Sequence, residues 1–118
     1  GPCEVMLFFL MAGEDDGVLG YIQVAGIDRF HGNGDLGICL SPEAHGRGAG
    51  AEACRLLEHY LVDTMGMHKL TLKVIVDNAR AIAFYRKLGY REVGVLERHF
   101  RDGDSLHDVM IMERLLGP

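Results

Sequence analysis

The chain has 118 residues, 48% hydrophobic and 25% charged, with a formal net charge of −5 at pH 7. This is the composition of one globular domain, not of a disordered tail. The acidic balance speaks against a nucleic-acid binder, whose affinity comes largely from phosphate neutralisation, and no apolar run approaches the roughly 20 residues a bilayer demands.

In chain order, Gly1-Pro2 without an initiator Met reads as the remnant of a cleaved tag, ahead of a single domain over 1–118. Residues 5–11 read as a buried strand, and 13–17 as a turn. A second strand covers 18–27, with Tyr21 and Gln23 alternating against Ile22 and Val24. Residues 28–35 read as a connection, and 36–41 as a short third strand stopped by Pro42. The first helix runs from about Gly48 to Met65. Its apolar stripe is expected at Ala53, Leu56, Leu57, Tyr60 and Leu61, with Glu52 in the first turn and Gly66 as its stop. Residues 69–76 alternate strictly, Leu70, Leu72, Val74 and Val76 facing one way. A second helix spans 78–88, capped by Asp77 or Asn78 and closed by Gly89. Residues 90–100 and 105–115 form a hairpin around Asp102-Gly103-Asp104. The order β-β-β-α-β-α-β-β describes an α/β (α+β) domain with a mixed, mostly antiparallel sheet. One β-α-β unit supplies one parallel pair.

The densest chemical signal is His45-Gly46-Arg47-Gly48-Ala49-Gly50, between a strand and a helix start. The first N–H groups of a helix lack internal partners and carry partial positive charge. Glycines allow close backbone approach, and Arg47 adds a cation with a planar fork of donors. Together they form a site for a diphosphate. A Walker loop is excluded, since no Lys-Ser or Lys-Thr follows. A literal G-x-G-x-x-G at Gly32–Gly37 precedes a strand and does not open a helix, so it is no dinucleotide fingerprint.

Three separated cysteines (Cys3, Cys39, Cys54) offer neither a disulfide framework nor a C-x-x-C pair, which points to a reducing cytoplasm. The six histidines lack metal-ligand spacing, so no metal is expected.

Residues 40–53, from Leu40-Ser41-Pro42 through Gly48-Ala49-Gly50 to Ala53, resemble motif A of the GNAT superfamily of N-acetyltransferases, Arg/Gln-x-x-Gly-x-Gly/Ala. Gly48 and Gly50 match its small positions; His45 stands where the family has Arg or Gln. Independently, Asn78-Ala79-Arg80-Ala81 through Tyr85-Arg86-Lys87-Leu88-Gly89-Tyr90 resembles the family's N-x-x-A-x-x-x-Y-x-k-x-G-F/Y segment. The closing hairpin is similar to that of the ribosomal-protein and small-amine branches. The resemblance covers roughly residues 18–115.

It implies an acyl-CoA N-acyltransferase fold and transfer of an acetyl group from acetyl-CoA to a primary amine by direct attack. The acceptor is a small-molecule amine or a protein amino group. It implies further that the amides of Gly46, Arg47, Gly48, Ala49 and Gly50, with His45, hold the diphosphate. Ile38, Cys39 and Leu40 would pair with the pantetheine arm as an added strand would. The strands after Leu36 and Lys69 would splay to free that backbone, with Asn78 near the pantetheine end and Tyr85 near the sulfur as the catalytic residue. Periodicity alone assigns Tyr85 to the core with Ala81, Phe84 and Leu88. An alkylamine has a pKa of about 10.4 and must lose a proton before attack. Asp35, Glu43 and His31 are the candidate bases, each also readable as solvated surface. A tyrosine at about 10 protonating a thiolate at about 8.5 is uphill by roughly 2 kcal/mol, so Tyr85 acts as a hydrogen-bond donor at least as much as an acid.

A strand and two helices that the resembled family carries ahead of Val5 are missing from this sequence. The first strand is therefore expected to be an edge open to pairing, and a homodimer is expected. The rival reading is a non-catalytic acyl-CoA-binding or interaction module.

Overall fold

The computed structural model describes residues 7–12, 18–41 and 48–117. The expected turn over 13–17 and the Pro42 strand stop lie outside the described residues. The element order is β1 (Leu7–Ala12), β2 (Val18–Asp28), β3 (Asn33–Leu40), α1 (Ala49–Met65), β4 (Lys69–Ile75), α2 (Ala79–Leu88), β5 (Arg91–Asp102) and β6 (Ser105–Leu115). They form a six-stranded sheet in the order β1-β2-β3-β4-β6-β5. The β3–β4 pair is parallel and the other four pairings are antiparallel. This is the mixed sheet the pattern predicts: α1 carries the chain from β3 to a parallel neighbour, a connection too long for a hairpin.

The third strand is longer than its sequence suggests, starting at Asn33 inside the expected connection. Ladder partners decide this. Asn33 faces Asp28 across β2 and Lys69 across β4, and that pairing outweighs the turn preference of the glycines.

Helix α1 also departs from expectation. Its buried residues are Gly50, Cys54, Leu57 and Leu61. Leu56 is 66% exposed and Tyr60 40% exposed, so two of the five expected core positions face outward. Both sets keep helical spacing. The turn of the helix about its axis is set by close approach to the sheet, which favours the small Gly50 and Cys54 over a bulkier Leu. The inner face meets Ile22 and Val24 of β2, Leu36 of β3, and Leu70 and Leu72 of β4, all under 7% exposed.

The helix caps follow the sequence. Gly66 and Gly89 adopt left-handed dihedrals (φ 66° and 103°) and their N–H groups close the last turns of α1 and α2. Asn78, not Asp77, caps α2, its Oδ1 accepting from the Ala81 N–H at 3.1 Å.

On the sheet, Glu113 of β6 is 8% exposed and held by two cations. Lys69 Nζ lies 2.7 Å from one carboxylate oxygen, and the Arg91 guanidinium donates to the other. These partners hold its carboxyl below the usual range, the Lys69 hydrogen bond contributing most. The trio ties β4, β6 and β5 together near the start of β4.

Candidate active site

The parallel pair does not run its full length. β3 and β4 match only at Asn33–Lys69, Gly34–Leu70 and Asp35–Thr71. Beyond that point β3 stays with β2 as far as Leu40, and β4 stays with β6 as far as Ile75. The two strands part like the arms of a V. At its apex the Thr71 hydroxyl donates to the Asp35 carboxylate at 2.8 Å. Residues 36–40 therefore have one backbone edge without a strand partner. At about 3.3 Å per residue that edge is roughly 16 Å long.

Helix α1 begins at the open end of the V. Its N-cap, Gly48, has φ 75°, a left-handed conformation that disfavours any residue with a Cβ. Among the described residues no side chain caps this end, so its first N–H groups are left facing the opening. Gly50 packs tightly behind them. A Cβ there would stand 2.9 Å from Leu40 Cδ1 and 3.2 Å from Phe84 Cζ, so glycine lets α1 close on both β3 and α2. On the far side of β3, Gly20 is still more constrained. A Cβ would fall 2.1 Å from the Cys39 carbonyl oxygen.

The V opens into a cavity of about 730 Å³. Of the residues singled out from the sequence, Ile38, Cys39, Leu40, Gly48, Gly50, Asn78 and Tyr85 all line it. Ala49 opens the helix but is not part of the wall. His45, Gly46 and Arg47 lie outside the described residues, as does Glu43. Two of the candidate bases are engaged elsewhere. Asp35 accepts from Thr71, and His31 Nδ1 pairs with Asp28 at 2.7 Å in the β2–β3 turn. Neither lines the cavity, and no Asp, Glu or His is among the described residues that do. The wall also contains Arg55 and Lys73, which no sequence signal marked, and Arg80 and Lys87 from the Asn78–Tyr90 segment, Lys87 at its basic position. Only the tertiary fold brings these four cations, from two helices and a strand, around one space.

Tyr85 is 6% exposed and stacks edge-on against Phe84 and Tyr90, with centroid separations of 5.6 and 5.8 Å. Its hydroxyl makes no hydrogen bond among the described residues. Burial pushes the phenol up to about 12, with the neighbouring Cys54 adding to the shift. Cys54 is itself pushed up to about 12, again chiefly by burial. Both groups are neutral at any physiological pH.

A split parallel pair, a free strand edge and an uncapped helix start at the mouth define a class of site. Its shape and polar groups suit an extended ligand with amide-like groups along its length and an anionic group at its end. The chain belongs to the acetyltransferase (GNAT) family, whose model matches residues 3–90. The spermidine N(1)-acetyltransferase of Escherichia coli is 33% identical over 81 residues, which cover 69% of this chain and 44% of that protein. A ribosomal-protein-alanine N-acetyltransferase of Salmonella typhimurium is 34% identical over 77 residues, covering 64% of this chain and 50% of that one. The chain thus spans about half the length of these curated relatives. Among solved structures, the spermidine N-acetyltransferase of Vibrio cholerae in complex with CoA and spermine superposes with a TM-score of 0.85. It is 24% identical, and the match covers 94% of this chain and 66% of that one. That likeness establishes the fold.

Proposed function

We propose that this chain transfers an acetyl group from acetyl-CoA to a primary amine that attacks directly. One observation carries the reading: β3 and β4 part after Asp35–Thr71, leaving a free strand edge that leads to the uncapped start of α1. The residues present fit acetyl-CoA. The edge over 36–40 offers alternating donors and acceptors to the two amides of a pantetheine arm. Gly48, Ala49 and Gly50 present N–H groups to a diphosphate at the helix start. His45, Gly46 and Arg47 complete this grip in the same reading, resting on the motif alone.

When bound, acetyl-CoA supplies an acyl carbon activated as a thioester. The chain supplies position, a dry wall and hydrogen bonds. A backbone N–H of the free β3 edge is placed to donate to the thioester oxygen as charge develops there. Tyr85 donates its phenolic hydrogen towards the sulfur; with no partner among the described residues it gives up no hydrogen bond to one of them in doing so. Full proton transfer from this phenol is disfavoured by its elevated pKa, so the thiolate takes its proton finally from water. The amine's proton also leaves to water, Asp35 and His31 being engaged elsewhere and off the cavity wall. Lys73, on the wall beside Val74 and Ile75, assists: a nearby cation favours the neutral form of an amine.

The acceptor belongs to the class the curated relatives' names span, small amines or a protein's terminal amino group. The unpaired Cys39 and Cys54 support a reducing, cytoplasmic setting. Among the described residues β1 is the outer strand beside β2, which supports self-association. The test is thiol release from acetyl-CoA with a panel containing spermidine, simple alkylamines and an alanine-terminated peptide. Release with at least one amine, together with a rise in Tm on adding CoA, is expected. Folded protein that neither binds CoA nor releases thiol overturns the proposal.

A further inference from the structure

Helices α1 and α2 pack on the same face of the sheet, Cys54 and Tyr85 sharing one core with Val24, Leu36, Leu72 and Val74. Side chains alternate along a strand, so Gln23, Asp35 and Lys73, the chain neighbours of those core residues, point to the opposite face. No described helix covers that face.

These three polar side chains surround the V. Asp35 stands at its apex. Thr71 donates to its Oδ1 at 2.8 Å, and Oδ2 is left without a partner among the described residues. Lys73 stands on the β4 arm, two residues or about 7 Å beyond that row. It lines the cavity, is exposed, and makes no ion pair or hydrogen bond among the described residues. Gln23 reaches the opposite lip. Its register partner is Gly37 of the free β3 edge, and a Cβ on Gly37 would stand 3.2 Å from Gln23 Cγ and 3.3 Å from its Nε2. The missing side chain lets the carboxamide lie over β3, on the V side of β2. That carboxamide has no hydrogen bond among the described residues.

In the acetyl-CoA reading the diphosphate rests at the start of α1, so the pantetheine arm runs inward and brings the thioester towards the apex. An attacking amine comes to rest beside these three groups. We propose that the open face of the V is the acceptor site and that it takes a free amino acid, an amine with a carboxylate close to the reacting nitrogen. Lys73 Nζ and the Gln23 amide hold the carboxylate, and Asp35 Oδ2 accepts an N–H of the amine. One cation with one neutral amide matches a singly charged carboxylate, and a polyamine would bring a second ammonium against Lys73. The ammonium first releases one proton to water. The neutral nitrogen then bonds the acyl carbon, the C–S bond breaks, and a second proton from nitrogen passes through water to the thiolate. One N–H remains on the product amide, still facing Asp35. The proposal rests on the acetyl-CoA reading and narrows its acceptor; it gives Lys73 a binding role besides its field effect on the amine.

The test is thiol release at saturating acetyl-CoA with free amino acids of small, acidic and basic side chain, each against its own carboxamide, and with spermidine. The proteins are the parent, Lys73→Gln, Lys73→Glu and Gln23→Ala. Each result is a ratio of kcat/KM within one protein, so a general loss of turnover cancels. The amide's amine is the less basic, so a preference for the acid does not come from reactivity. The parent should favour the best amino acid over its carboxamide by about tenfold or more, chiefly through KM, as a hydrogen-bonded charge pair predicts. The ratio should shrink as salt rises. It should fall towards one in Lys73→Gln and reverse in Lys73→Glu. In Gln23→Ala it should fall about threefold, in line with one lost hydrogen bond. A parent that uses carboxamides or spermidine as well as amino acids, or that releases no thiol with any of them while CoA still raises its Tm, overturns the acceptor assignment and leaves CoA binding standing. An undiminished ratio in Lys73→Glu or Lys73→Gln at parental Tm overturns it as well. Folded protein that does not bind CoA overturns both readings.

Discussion

Replacing Tyr85 with Phe isolates one oxygen in the proposed chemistry. With the phenol at about 12 and a thiolate reference of about 8.5, complete proton transfer is uphill by about 5 kcal/mol. That is too steep for Tyr85 to be a free-standing acid at neutral pH. A hydrogen bond from the neutral phenol to developing negative charge on sulfur is worth about 1.5–3 kcal/mol. Loss of that bond should lower kcat by about 10- to 150-fold. The KM for acetyl-CoA should stay within about twofold, because the strand edge and helix start are untouched. The ring still packs against Phe84 and Tyr90, and the lost hydroxyl had no partner among the described residues, so Tm should move by no more than about 0.5 kcal/mol implies. The assay is continuous detection of free thiol across pH 6–10, parent and variant side by side. Turnover unchanged within twofold in a variant of parental Tm removes Tyr85 from the mechanism. An alkaline fall of kcat below pH 10 that vanishes in the variant refutes the elevated pKa and the hydrogen-bond role drawn from it.

Gly20→Ala should be far more damaging than its one methyl suggests. The new Cβ would lie 2.1 Å from the Cys39 carbonyl oxygen on the strand that lines the groove, so β2 and β3 must separate there. A loss of about 2–4 kcal/mol in denaturant titration is expected, with weaker CoA binding; parental stability would contradict the packing described. Alkaline stability offers a second check. Cys54 and Tyr85 are raised from 9.0 and 10.0 to about 12 in the folded chain, so the folded state holds protons the unfolded chain has released. Stability should be full below pH 9, fall as pH climbs from 9 towards 12, and start to fall about one pH unit later in Cys54→Ala. Tm measured against pH for the two proteins decides this, and coincident onsets would show that the buried thiol is not the first group to titrate.

Much of this protein is local, and what is local was readable. The left-handed glycines after both helices, the Asn78 cap, the strict alternation over β4 and the hairpin around Asp102-Gly103-Asp104 act within a few residues, so each leaves its mark in the sequence. Gly48 and Gly50 at the start of α1, with Asn78 and Tyr85 of the second segment, likewise marked walls of the groove. Rotation of α1 was not local. Whether Leu56 or Cys54 turns inward depends on how near the sheet can approach, and both patterns have the same period. The start of β3 at Asn33 depended on partners in β2 and β4, far off along the chain.

By itself the sequence determined where the chain turns and stops, and that a helix begins on glycines fit to meet an anion. It did so because caps, turns and side-chain period are settled by neighbours in the chain. Tertiary structure alone decided where β3 leaves β4, which tied Asp35 to Thr71, buried Tyr85 beside Cys54 and gathered Arg55, Lys73 and Lys87 around one cavity. Each of these is a contact between residues distant along the chain, and such contacts exist only once the sheet has formed and both helices have packed on it.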